Sequence, residues 1–298
     1  MEIINCPLCG SIDKKIFSKI LSNEKQIFYW KCQSCSLIFQ SPQMDETELT
    51  EFYAEHYREY LYDQVEPLQT DIEIQKARAK HLISIIQREC GDLQNSLHLD
   101  IGCGSGELVK EIQSSLLMQS FGIEPDNAYR QYAINQGLKV YESLPDWERK
   151  GGLRVKLVSM SHVLEHMLNP IQTLTELRRG ILDPGGFILI EVPNLYFHSA
   201  FELAHNFAFS THTLKEVLIK SGYKSIYIKR HGLPLKKTPR YITVLAQAYE
   251  GNGFVYHINP EFPGIAFRRR IGRAISRVED LIIRYSKKLK KRISQYGN

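Results

Sequence analysis

Four of the six cysteines fall in two pairs, Cys6-Pro-Leu-Cys9 and Cys32-Gln-Ser-Cys35. Two such knuckles offer the four soft thiolates of a tetrahedral Zn²⁺ site with no position left for water, so the spacing predicts structural zinc. A redox Cys-x-x-Cys needs only one pair. A second group is the run Asp100-Ile-Gly102-Cys103-Gly104-Ser-Gly106, which follows the apolar segment Leu97–Ile101 and precedes a helical pattern. Its glycines permit a sharp turn and a close backbone approach to a ligand. The amides at the start of the next helix suit an anion. The spacing is not that of the dinucleotide fingerprint, and the Lys-Ser/Thr of a phosphate loop is missing. Glu124, in Gly122-Ile-Glu124-Pro-Asp126, ends the next predicted strand. There its carboxylate can accept hydrogen bonds from both hydroxyls of a ribose. Three histidines are placed for proton transfer: His162 and His166 just after the fourth predicted strand, and His205 in the loop after the fifth.

These groups must be held by an alternation of strands and helices. Strands are predicted at 97–101, 120–123, 138–141, 155–160 and 187–192, with helices at 71–89, 107–117, 126–136 and 170–181. A further helix opens at Thr213-Leu-Lys-Glu216, read as a capping box. The last strands, 223–229 and 241–248, lack a helix between them and should pair antiparallel at one edge. The pattern predicts an α/β fold with a doubly wound, seven-stranded, mostly parallel sheet, whose carboxyl edge binds ligands. The expected organisation is a zinc-binding module over 1–45, a tyrosine-rich connector over 46–72, the α/β domain over 73–250 and a basic helix over 263–298. The connector carries Phe52, Tyr53, His56, Tyr57, Tyr60 and Tyr62.

No apolar run reaches the ~20 residues that span a bilayer. The first residues carry no signal-peptide pattern, so a cytoplasmic location is expected. The net charge of +5 is concentrated between Arg268 and Arg292, where only Glu279 and Asp280 oppose eleven basic residues. That distribution argues against nucleic acid as the partner of the whole protein. Phe267, Ile271, Ala274, Val278, Leu281, Tyr285 and Leu289 recur at helical spacing, which makes the tail an amphipathic helix. Three readings stand for it: lying on an anionic membrane surface at the inner face, pairing with a second chain or packing on its own domain, or gripping an acidic substrate or nucleic acid.

The segment Leu97–Gly106, Glu124, the stretch Ser161-His162-Val163-Leu164-Glu165-His166 and the turn-strand Leu182-Asp-Pro-Gly-Gly-Phe-Ile-Leu-Ile190 together resemble the class I methyltransferases that use S-adenosyl-L-methionine (SAM). The resemblance covers residues 75–248. It implies a SAM site formed by Asp100, Gly102, Cys103, Gly104, Gly106, Glu124 and His162, with Asp100 ordering the turn. Asp146 is a candidate acid beside adenine. The cysteine module, with Tyr29–Pro42, is similar to that of a subgroup acting on sugars, including C-methyltransferases of nucleotide-linked keto-deoxysugars. In that subgroup the loop of His205 carries Tyr-x-Glu-His, whereas here it reads Glu202-Leu-Ala-His205. The implied function is O-methylation of a sugar of a surface polysaccharide or glycoconjugate, nucleotide- or lipid-linked, with His205 or His166 as base. C-methylation of a keto-sugar is the alternative, and a non-catalytic binding protein is a reading of another class.

Overall fold

The computed structural model describes residues 4–22, 25–53, 66–199, 201–232, 236–249 and 258–296. The connector residues His56, Tyr57, Tyr60 and Tyr62 lie outside them. Seven strands form the large sheet: β4 (Leu97–Ile101), β5 (Gln119–Ile123), β6 (Val140–Tyr141), β7 (Val155–Ser161), β8 (Leu182–Pro193), β10 (Tyr223–His231) and β11 (Tyr241–Ala248). Their order is β10-β11-β8-β7-β4-β5-β6. Only β11 runs antiparallel, against β8 on one side and β10 on the other. The doubly wound, mostly parallel sheet is therefore the observed fold. The chain reverses its winding between β4 and β7, which places the ends of those strands at the crevice where such sheets bind ligands.

Helices cover both faces: α2 (Gln69–Glu89), α3 (Glu107–Leu116), α4 (Asn127–Asn135), α5 (Leu144–Arg149), α6 (Pro170–Glu176) and α7 (Thr211–Lys220), with the short α1 (Glu46–Glu51) before them and α8 (Ile265–Tyr296) at the end. Local chemistry sets several boundaries. Helix α7 begins one turn earlier than the Thr213-to-Glu216 pattern suggests: Ser210 is the cap, and its hydroxyl and that of Thr213 satisfy each other's amides. Helix α6 ends in a π turn, Leu177–Ile181. Strand β8 includes the Asp183-Pro-Gly-Gly segment expected to be only a turn. Gly185 takes a positive φ there, and the register against β7 shifts.

The N-terminal strands β1 (Lys14–Ser22), β2 (Lys25–Cys32) and β3 (Ile38–Gln40) build a second sheet, and its fourth strand comes from far along the chain. Strand β9 (Phe207–Ala208), inside the loop that follows β8, pairs with β3 through Ile38↔Ala208 and Phe39↔Phe207. Sequence periodicity gave no sign of a two-residue strand. The cysteine-bearing segment has no core of its own: Cys6, Leu8, Cys32, Cys35, Leu37 and Phe39 belong to one continuous cluster with Leu99, Met160, Ile190 and Phe209 of the α/β domain. A segment this small gains its apolar burial by sharing.

In the central strand, His98 is fully buried, its ring nitrogens 2.6 Å from the Ser120 hydroxyl and 2.8 Å from that of Ser159. It clasps β4 to both parallel neighbours. Burial pushes its pKa down to about 3, and burial likewise brings His166 down to about 4. A histidine whose folded pKa is depressed destabilises the fold as pH falls below the unfolded value, because the unfolded chain takes the proton first. The contribution of these two histidines to stability should therefore be flat above about pH 6.5. Below that it should fall, each of the two histidines costing about 2 kcal/mol by about pH 5. Differential scanning calorimetry across that range checks this; a melting temperature that rises on acidification contradicts it.

Candidate active site

The glycine turn leaves β4 under strong backbone constraint. Gly102, Gly104 and Gly106 all have positive φ, which side-chain-bearing residues rarely adopt. Space demands glycine too: a Cβ on Gly102 would lie 2.5 Å from the Val163 side chain, and one on Gly106 2.4 Å from that of Leu138. The turn is held by Gly102 and Cys103, whose amides donate to the Ile123 carbonyl, and by Gly104, whose amide donates to Glu124 Oε2 at 2.7 Å. Asp100 does not order it, contrary to the expectation: its carboxylate accepts from the Ser159 hydroxyl instead. The Cys103 amide is likewise spent inside the protein, and burial pushes its thiol well above the ordinary value, so it is no nucleophile. Asp146 stands away from this crevice, paired with Arg149 and Lys150.

A cavity of about 350 Å³ opens beside the turn. Asp100, Gly102, Cys103 and Gly104 line one side; Gln75 and Arg78 of α2 and Tyr241 of β11 line another; His162, His166, His198, Glu202 and His205 close the end. It therefore brings together the glycine turn and all three histidines singled out in the sequence. The volume is that of a small-molecule site. Asp100 and Glu124 are buried carboxylates, 3% and 5% exposed. Burial raises Asp100 to about 7, with Ser159 acting against the rise and Glu124 adding to it. Asp100, raised by its burial, and Glu124, which accepts from the Gly104 and Asp126 amides, set two carboxylates beside a glycine turn and fit a ligand carrying a cation and hydroxyls, as SAM does. Gly106 serves a different purpose from contact: it is absent from the cavity lining and lets α3 start against Leu138.

The histidine end is organised by two further buried carboxylates. His162 takes a left-handed backbone conformation (φ 58°), its amide bonded to the Glu191 carbonyl. Its ring lies between the two acids, Nδ1 3.4 Å from Glu165 and Nε2 3.4 Å from Glu191. Glu191 also meets Arg78 at 2.6 Å and His231 at 3.1 Å. Burial alone would raise Glu165; His162, His166 and His205 outweigh it and hold the acid at about 2. Glu191 is held well below the usual range against burial by Arg78, His162 and His231. Both acids are thus held as anions among these imidazoles. Glu165, His166 and His205 also gather ligand atoms within 4.8 Å of one another, a donor set able to take a divalent ion.

His205 and His166 pack against each other with ring centres 4.7 Å apart and planes inclined by 59°. His205 Nε2 is 2.9 Å from the Glu202 carboxylate. The acid that the Tyr-x-Glu-His pattern places next to the histidine is therefore supplied three residues earlier, by Glu202. A tyrosine is supplied from the connector, since the Tyr53 hydroxyl lies 2.6 Å from His166 Nδ1, a nitrogen that also meets the Ala204 carbonyl at 2.9 Å. Neither partner was legible from local spacing. The small sheet fixes this loop: Tyr29 of β2 sets its hydroxyl 2.5 Å from the His205 carbonyl and 2.8 Å from that of Glu202.

The four N-terminal thiols converge. Cys6 and Cys35 sulfurs are 3.4 Å apart, Cys9 and Cys32 3.5 Å, and all four lie within 4.8 Å of one another. A tetrahedral four-thiolate ion with bonds of about 2.3 Å has sulfur separations of about 3.8 Å, so the cluster matches such a site closely. Cys90 and Cys103 take no part.

Residues 74–227, just over half of the chain, match a family model described as a methyltransferase domain, and the chain belongs to that family. Together with the seven-stranded fold, this makes the protein a SAM-dependent methyltransferase. Among solved structures it is similar to the 1,6-didemethyltoxoflavin-N1-methyltransferase of Burkholderia thailandensis, seen with bound 1,6-didemethyltoxoflavin and S-adenosylhomocysteine. The identity is 16%, coverage is 78% of this chain and 98% of that one, and the TM-score is 0.55. It is also similar to the magnesium protoporphyrin IX methyltransferase of Synechocystis PCC 6803 (15% identity, 70% and 99% coverage, TM-score 0.48). A SAM-dependent methyltransferase of Archaeoglobus fulgidus is a third (17%, 60% and 100%, 0.47). Comparison with curated protein sequences finds no match.

If the turn and its acid hold the nucleoside, Glu124→Ala should raise the dissociation constant of S-adenosylhomocysteine by roughly 10- to 100-fold, since a buried site that loses its hydroxyl acceptor leaves the ligand's donors unpaired. Isothermal titration calorimetry reads this, and an unchanged constant removes Glu124 from the site.

Proposed function

We propose that the protein transfers a methyl group to a hydroxyl of a sugar belonging to a surface polysaccharide or glycoconjugate, carried on a nucleotide or a lipid. The observation that carries the reading is the His205–Glu202 pair in the cavity lining, at 2.9 Å. A sugar hydroxyl is a poor nucleophile until its proton leaves. His205 takes that proton. Glu202, kept ionised by His205 against its own burial, steadies the imidazolium that forms. His166 is buried with Nδ1 engaged by Tyr53 and the Ala204 carbonyl, and its low basicity makes it a weak proton acceptor at neutral pH; it orients His205 by packing its tilted ring against it.

SAM supplies an electrophilic methyl group, so the protein's work is alignment and proton removal. Asp100, Gly102, Cys103, Gly104, Glu124 and His162 hold it, with Gly106 setting the helix behind the turn. The four cysteines Cys6, Cys9, Cys32 and Cys35 hold structural Zn²⁺, and their module carries the strand to which the catalytic loop pairs. The sugar assignment rests on the resemblance of that module to sugar-modifying methyltransferases. Glu202 also favours a second reading. A histidine backed by an acid can remove a proton from carbon beside a keto group, so C-methylation of a nucleotide-linked keto-sugar remains chemically served.

His205→Ala should lower kcat by about 10²-fold or more while the affinity for S-adenosylhomocysteine stays the same. Tandem mass spectrometry of the glycan product separates O-methyl from C-methyl. An unchanged kcat removes His205 as the base, and a methyl on carbon replaces the first reading with the second.

A further inference from the structure

Helix α8 docks on the domain with its polar side. Ile265, Gly272 and Ser276 are buried. Arg269 donates to the carbonyls of Leu195 and His198, and Arg273 and Ser276 donate to that of Phe197. Glu279 accepts from Thr238, and Asp280 pairs with Arg240 at 3.0 Å. These positions recur every three or four residues, so they form one face. The fit is close: a Cβ on Gly272 would lie 2.4 Å from the Tyr196 carbonyl. The consequence is an inversion of the usual arrangement. The apolar stripe of the same helix is left outside, with Phe267 67%, Leu281 63% and Tyr285 72% exposed, and Ile271, Val278 and Ile282 exposed between them. Packing on its own domain, one of the readings of the sequence, is thus done by the other face.

Charge identifies what the stripe is for. Arg270, Arg277 and Arg284 are exposed and follow one another at intervals of seven, which sets them in a row along one edge of the stripe. The helix contains two acids, Glu279 and Asp280, and both are engaged with the domain. A second copy laid on this face would bring arginine rows together with no acid on the stripe to meet them. Nucleic acid would use the arginines and have no use for six apolar side chains. No helix among the described residues is long and apolar enough to cross a membrane. We infer that α8 is an interfacial anchor that lies flat on an anionic lipid surface, its apolar stripe in the headgroup–acyl boundary and its arginine row on the lipid phosphates. The carbonyls it grips belong to residues 195–198, and His198 lines the active-site cavity. The anchor and the catalytic pocket therefore share a segment of chain. The inference stands apart from the identity of the acceptor.

Cosedimentation of the full chain with vesicles tests it. Two compositions are compared, phosphatidylcholine alone and phosphatidylcholine with about 30% phosphatidylglycerol. The full chain should partition onto the anionic vesicles, weakly onto the neutral ones, and less as salt rises. Ile271→Glu/Leu281→Glu and, separately, Arg270→Gln/Arg277→Gln/Arg284→Gln should each lower the anionic partition at least tenfold. All five positions lie on the exposed face, and unchanged affinity for S-adenosylhomocysteine shows that each variant is folded. Absence of binding, equal binding to both compositions, or wild-type binding by both folded variants overturns the inference. So does a lipid-free dimer in sedimentation velocity that the Ile271→Glu/Leu281→Glu variant dissolves, since the stripe then serves a second copy.

Discussion

The loop that follows β8 carries His205, the proposed base, and the stretch around that residue is held largely from outside the loop. Its backbone is satisfied from outside. The Asn206 carbonyl accepts from the Gln40 amide at 2.7 Å, Phe207 and Ala208 pair with β3, and the carbonyls of Glu202 and His205 meet the Tyr29 hydroxyl. From the other side, Ala204 is taken by His166 and Tyr53, and Asn206 donates to the His166 carbonyl at 2.8 Å. Buried backbone groups must find partners, and here most partners belong to the cysteine module. The module is therefore part of the active site's frame, and the position of His205 depends on the same four thiols that close the knuckles.

Around that frame, buried charge does the sorting. Glu165 and Glu191 are anions in the interior, and His162 lies between them while His166 and His205 crowd one and Arg78 and His231 the other. An uncompensated buried carboxylate is costly, so these contacts fix side chains more firmly than apolar packing would. The left-handed backbone at His162 belongs to this arrangement, because it delivers the ring between the two acids. Asp100 and Glu124, beside the glycine turn, are held by hydrogen bonds, from the Ser159 hydroxyl and from the Gly104 and Asp126 amides.

The sheet, its antiparallel edge pair and the glycine turn were legible in the sequence because each depends on local pattern: apolar runs, helical periodicity, glycines where φ must be positive. The cysteine knuckles were legible for the same reason. Glu165 stood in plain sight between His162 and His166 and went unassigned, since nothing in its spacing shows that it points inward. Glu202 was read as the loss of a motif, although it reaches His205 from three residues upstream. Tyr29, Tyr53, Arg78 and Glu191 reach the site only through tertiary contact, across sequence separations no periodicity records. The tail helix was predicted as a helix, but which face would dock was not. Its apolar stripe left three readings open, and the carbonyls of residues 195–198 take the face that carries Arg269 and Arg273.

The central claim is that the cysteine module positions the base. Removing one hydroxyl tests it with little disturbance to the fold. Tyr29→Phe should keep one zinc per chain, as in the wild type, by inductively coupled plasma mass spectrometry. It should bind S-adenosylhomocysteine unchanged and show a kcat at least about tenfold lower, because a small misplacement of a catalytic group is sufficient for that loss. A Tyr29→Phe enzyme with wild-type kcat, or a wild-type protein without zinc, would contradict the account.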